Sequence, residues 1–303
     1  MKVLTALAAA TVLAGCEVNL NSEGLSARDV KTFKVTGRPE VVLDTFDGSI
    51  ELHSWDRNEI EVEVEKRAME QTLLDEIKID AQQQGDQITI KVTGPSVQQR
   101  SVTFGVHISP TARLRVAVPR SANINAVSGD GSIRAEAIEG RIILRTTDGS
   151  VTATRIGGDV QIRSGDGSIR VDGVSGKLDL ETDDGSLTVE GQPSVLRLNT
   201  GDGSVRVQID PDTAMTDNWD ITTSDGSVTL TLPGQFNAEL DAETSDGAVR
   251  ASHPLLGDEA ERADGDGDGR RERRERRQLR SKMGDGGKIL KIRSGDGSIR
   301  IDR

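Results

Sequence analysis

Four acidic side chains stand at a spacing that could do chemistry. Asp264, Asp266, Asp268 and Glu275, with Gly269 before the last, match the D-x-D-x-D-G-x5-E pattern, in which alternate carboxylates and a later bidentate glutamate wrap a calcium ion. Arg271 occupies the place where such loops carry an aliphatic residue, and the arginines of the 270–277 run oppose a dication. The other reading of this segment is an acidic-then-basic low-complexity loop. A second carboxylate set is repeated. Asp47, Asp130, Asp148, Asp166, Asp184, Asp202, Asp225, Asp246 and Asp296 each follow a Ser or Thr by two residues, and each precedes Gly, then Ser or Ala, then an aliphatic residue. Aspartate before glycine can form a turn by bonding its own backbone ahead, or act as a cation ligand; the turn is the favoured reading. Acid–base and nucleophilic catalysis find little to work with. His53, His107 and His253 neither repeat nor pair with an obvious nucleophile, and Cys16 is the only thiol.

The elements that position these residues follow from the period. Asp130 through Asp202 recur every 18 residues, the mark of a stacked repeat architecture. With the motif Asp as column one, column four reads Ile133, Val151, Ile169, Leu187, Val205, Val228, Val249 and Ile299, and column six is again apolar. Period two means a strand with one buried face. Alternation returns at column thirteen (Ile142, Val160, Leu178, Leu196, Trp219, Leu240, Leu290) and column fifteen (Leu144, Ile162, Leu180, Leu198, Ile221, Ala242, Ile292). Each repeat is therefore two short strands and two corners, one at Asp-Gly, where the glycine is expected to accept positive φ, and one at Gly140, Gly158 and Gly176. So short a strand pair cannot bury its apolar face alone, but stacked coils can, each about 4.8 Å above the last. With no Tyr, four Phe and two Trp, the interior is filled by aliphatic side chains.

The expected fold is all-β: a right-handed, single-stranded β-solenoid (β-helix) of about 18-residue coils. About eight coils from residue 111 to the C-terminus make a rod on the order of 40 Å long. Column seventeen carries a hydroxyl in all nine copies (Thr45, Ser128, Thr146, Ser164, Thr182, Thr200, Thr223, Thr244, Ser294), which we read as satisfying turn amides that would otherwise be buried unpaired. Residues 33–110 read as an irregular, β-rich cap layer with helix-forming composition over 67–80. Residues 111–303 hold the array, interrupted by a charged insertion over 252–287. Stacked carboxylates repel, and cations or the arginines Arg134, Arg170, Arg206, Arg250 and Arg300 could relieve them. The last strand, at Ile299 and Ile301, reads as an open edge that invites end-to-end self-association.

At the N-terminus, Met1-Lys2, an apolar stretch from Val3 to Leu13, and Leu13-Ala14-Gly15-Cys16 resemble a bacterial lipoprotein signal peptide with its lipobox. The resemblance implies a cleaved signal over 1–15, lipidation of Cys16 and a tether over 16–32. The protein would then be an exported, membrane-anchored lipoprotein on the periplasmic face or the cell surface, with the outer membrane favoured. Several acyl chains give stable anchoring where one would not. Net charge of −12 argues against nucleic acid as a general partner.

The repeat period is similar to that of the calcium-binding β-roll, but a second Asp column and the extra glycines of that fold are missing. The lipobox, the run from Phe46 to Asp56, Leu114-Arg115-Val116-Ala117-Val118-Pro119 and the Ser-Gly-Asp-Gly-Ser-Ile coils resemble the bacterial putative-adhesin family of unknown function, over residues 33–303. That resemblance implies a solenoid exported or anchored by lipid, with no catalytic residues to assign. The reading is a lipid-anchored envelope binding or scaffold module whose partner is an envelope protein or glycan. The alternatives are a carbohydrate-active β-helix enzyme and a calcium-dependent interaction protein acting through residues 264–275.

Overall fold

The computed structural model describes residues 17–21, 24–95, 109–255 and 277–303. Cys16, the signal segment, His107 and the loop carrying Asp264, Asp266, Asp268 and Glu275 lie outside the described residues. Within them the chain is all-β and β-solenoid-like, twenty-three strands in one hydrogen-bonded network with a single short helix, Gln71–Glu76.

The columns read from the period become ladders. On one sheet Leu114, Ile50, Ile133, Val151, Ile169, Leu187, Val205, Val228, Ile299 and Val249 stand in parallel register, one per layer. On the other, Ile90, Leu43, Ala126, Leu144, Ile162, Leu180, Leu198, Ile221, Ile292 and Ala242 do the same. All twenty are buried in one continuous core. Ile169–Thr182 and Leu187–Thr200 run unbroken from one sheet into the other, so the sheet wraps around its own interior.

Spatial order departs from chain order at both ends. The C-terminal coil is not an edge: Ile299 and Ile301 are held between Val228 and Leu230 on one side and Val249 and Ala251 on the other. The expected open strand is therefore corrected to an interior one. The Asp246 coil is the outer layer, and Gln278–Met283 runs antiparallel to Ala238–Thr244 beyond it. Part of the expected insertion is thus a strand, inserted because Leu279 and Met283 are buried. At the other end, Glu40–Thr45 and Ile50–Trp55 form a regular coil in register with Asn123–Ser128 and Ile133–Glu136. They are not an irregular layer, since their inward residues fall on the repeat's own columns. The layer outside them is built by Gln87–Thr93 and Thr111–Pro119.

The expected tether also needs correction. Gly24–Lys34 is a strand, paired antiparallel with Glu59–Ala68 and burying Ala27 and Phe33. Glu17–Asn21 adds one more antiparallel strand outside it. Among the described residues helix is confined to 71–76, and Lys78–Gln84 pairs as a strand with Gln87–Thr93. Mixed, antiparallel pairing at the ends closes a stack that is parallel through its middle.

Charge on the second sheet favours the inward position of the last coil, although on the first sheet the same order sets Arg250 beside Arg300. Asp220, Lys291, Asp241 and Arg280 follow one another across the outside of the second sheet, with alternating sign. Lys291 Nζ lies 3.4 Å from Asp220, Arg293 2.8 Å from Asp241, and Arg280 3.2 Å from Asp241. Stacking the coils in chain order would set Asp241 directly against Asp220, a destabilising like-charge pair. The N-terminal end repeats the device, with Arg115 bonded to Glu63 at 2.8 Å and 3.5 Å from Glu51.

Apart from Thr45, whose buried Oγ1 has no hydrogen-bond partner among the described residues, the hydroxyl column is a set of staples between coils. Thr182 Oγ1 donates to the carbonyls of Gly165 (2.7 Å) and Gly167 (3.1 Å) in the coil before, and accepts the Gly185 N–H of its own turn at 3.3 Å. Thr146, Ser164, Thr223 and Ser294 repeat the pattern. Thr182→Val keeps the shape but strands these buried backbone groups, so we expect a loss of about 1–3 kcal/mol. Thr182→Ser should retain most of the stability. Urea unfolding checks both, and the midpoint should move at constant slope.

Candidate binding surface

With the interior filled by aliphatic ladders, every other column faces outward and repeats its chemistry layer by layer. On the first sheet a serine column (Ser132, Ser150, Ser168, Ser186, Ser204, Ser227, Ser298) adjoins a column reading Arg134, Thr152, Arg170, Thr188, Arg206, Thr229 and Arg300, closed by Arg250. Beyond it runs a third column holding Glu136, Thr154, Asp172, Glu190, Gln208, Thr231 and Asp302. The motif aspartates line the adjoining corner, all exposed except the half-buried Asp47. Burial, and next the charge of Asp130, push the Asp47 carboxyl above the usual aspartate value of 3.8.

Among the described residues, Arg134, Arg170, Arg206 and Arg300 do not neutralise the motif aspartates as the sequence allowed. Arg134, Arg170, Arg206 and Arg300 make no ion pair with any described residue, and the motif carboxylate with a described partner is Asp246, 3.5 Å from Arg277. Among the described residues no three His, Cys, Asp or Glu side chains are grouped to hold a metal ion. His53 is exposed, whereas His253 is buried. His253 Nδ1 accepts the Leu255 N–H at 3.3 Å and Nε2 lies 2.9 Å from the Pro233 carbonyl, a structural role.

At the second corner the chain turns through Gly140, Gly158 and Gly176, all at positive φ. Side-chain-free backbone there floors a shallow cleft of about 540 Å³ walled by Arg38, Asn123, Glu139, Arg141 and Asp159. Its charges are mixed. Arg38 Nε donates to Ser121 Oγ at 2.8 Å, and Asn123 Oδ1 accepts the Arg141 N–H at 3.0 Å. The cleft was not foreseen, because it joins Arg38 to layers far along the chain. The alternation of Arg and Thr in column five is legible in the repeat itself.

The description of the Toastrack DUF4097 family matches residues 39–302. Three solved structures match along most of the chain. A "putative cell adhesion protein" from Clostridium sporogenes is 12% identical, with 91% of this chain and 99% of that one covered and a TM-score of 0.27. A "putative adhesin" from Bacteroides fragilis is 9% identical over 90% and 96%, with a TM-score of 0.44. A "putative lipid binding protein" from Parabacteroides distasonis is 13% identical over 91% and 97%, with a TM-score of 0.41. No curated protein matches.

Proposed function

For a chain that belongs to the Toastrack DUF4097 family, we propose the role of a lipid-anchored binding or scaffold module of the cell envelope that performs no chemistry of its own. One observation carries this reading. The exterior is organised as columns that repeat at a regular rise along the stack, a serine column beside one that alternates Arg and Thr, a geometry suited to a long ligand meeting the same groups at fixed intervals. A catalytic centre needs the opposite, a few unlike groups converging on one point.

Anchoring rests on the lipobox-like sequence before Cys16. Because Glu17–Asn21 already pairs with Gly24–Arg28, the sheet begins next to the acylated residue and the body is held by its N-terminal end close to the bilayer. Winding is right-handed by the general rule for parallel crossovers.

The test is a pull-down from envelope fractions and a glycan array with the acylated full chain, beside Cys16→Ala. Both chains should retain the same glycan or envelope protein, and Cys16→Ala alone should leave the detergent phase. A panel that retains nothing sinks the binding role, and a bound polysaccharide recovered shortened would replace it with a carbohydrate-active enzyme.

A further inference from the structure

The binding role gains a ligand class from the spacing of one column, and the inference rests on that role. Arg134, Arg170, Arg206 and Arg300 occupy every second layer, with Thr152, Thr188 and Thr229 in the layers between. All four arginines are exposed and none is ion-paired within the described residues. Two layers rise about 10 Å, the length of one disaccharide in an extended β-linked glycan.

We propose that this strip binds an acidic glycan carrying one carboxylate per disaccharide, laid along the stack. Each guanidinium meets one carboxylate in the two-pronged geometry that favours arginine. Threonine hydroxyls between them, and the exposed serine column beside them, exchange hydrogen bonds with sugar hydroxyls.

The acidic column on the other side sets the selectivity. Asp172 and Glu190 are exposed two residues along from Arg170 and Thr188, and repel any carboxylate that strays from the arginine line. A nucleic acid strand, with a charge about every 3.4 Å, cannot place its phosphates on the arginines without setting others against these acids. With a net charge of −12 the protein has no general attraction for polyanions, so recognition depends on register.

Calorimetry on the full chain at low salt would use an octasaccharide of alternating glucuronate and N-acetylglucosamine, which has four carboxylates at this spacing. The comparison ligands are a neutral N-acetylglucosamine octamer and a single-stranded DNA 12-mer. The acidic octasaccharide should bind, and Arg170→Ala/Arg206→Ala should weaken it about thirtyfold. Arg197→Ala, exposed on the second sheet, should stay within roughly twofold. Thermal unfolding of both variants should match the parent, separating lost contacts from lost fold. The inference is overturned if the acidic octasaccharide does not bind, if the neutral octamer or the DNA binds as well, or if the double variant binds normally. Envelope capture that persists in the double variant would remove this ligand class alone and leave the binding module standing.

Discussion

Gly167→Ala should destabilise the protein by about 3 kcal/mol, lowering the melting temperature by roughly 6–12 °C, although it adds one methyl group to a turn. A Cβ at Gly167 would stand 2.1 Å from the Gly149 carbonyl oxygen and 2.4 Å from its carbon, both backbone atoms that cannot step aside. The same collision recurs up the stack: Gly185 against Gly167 at 2.2 Å, Gly203 against Gly185 at 2.0 Å, Gly226 against Gly203 at 2.0 Å. Among the motif glycines only Gly48 has positive φ, so left-handed backbone is not why the motif demands glycine. The expected turn argument is thereby replaced by one about stacking, in which each motif glycine leaves room for the carbonyl of the coil before it. Gly85 supplies the contrast. It has φ +64° and nothing within 4 Å of its would-be Cβ, so Gly85→Ala should cost only the conformational penalty of about 1–2 kcal/mol. Thermal and urea unfolding of the two variants decide the matter, and equal costs would refute the stacking account.

Much of this molecule was legible because a fixed period exposes its columns without any knowledge of pairing. Ile133, Val151 and Ile169 announce their face by alternation, and Thr146 or Thr182 its place by recurring where parity points inward. What the period could not give was the order of the layers. Inward columns are chemically alike from coil to coil, so Ile299 fits on Val228 as well as Val249 does, and hydrophobic burial alone cannot choose. The choice lies with outward charges such as Lys291, which look like ordinary solvated residues until their neighbours are known. The strand at Gly24–Lys34 was missed for a related reason. Charged residues at Arg28, Asp29 and Lys31 mask its partial alternation, and the partners that explain them, Glu63 among them, lie some 35 residues away.

That order is open to a direct topological test, and its consequences for stability are large. In a Cys16→Ser background, Asp220→Cys/Lys291→Cys should oxidise readily to a disulfide. Residues opposed on neighbouring strands lie about 5 Å apart, inside the range a disulfide spans. Asp220→Cys/Asp241→Cys should not, since two layers separate that pair by roughly 10 Å. The reverse outcome would restore the coils to chain order. Ending the chain at Lys288 removes Leu290, Ile292, Ile299 and Ile301, each fully buried, a gross loss on the order of 6–12 kcal/mol, and it leaves no cation between Asp220 and Asp241.

The same contacts give the C-terminal end an acid response. The hydrogen bond from Arg293, working against partial burial and joined by Arg280, holds the Asp241 carboxyl below the ordinary value of 3.8. A depressed folded value contributes stability that is present above pH 3.8 and is lost as pH falls through the folded value. Asp47 has the opposite sign. Its raised value means that its ionised form burdens the fold at neutral pH, a burden lifted as pH falls through that raised value. On acidification from neutrality, hydrogen exchange should therefore accelerate first, relative to its intrinsic pH dependence, in Ala238–Thr244 and Ile289–Ser294, while the layer around Asp47 holds. Lys291→Asp should produce the same local loosening already at pH 7, because it sets three carboxylates in a row where the native ladder alternates.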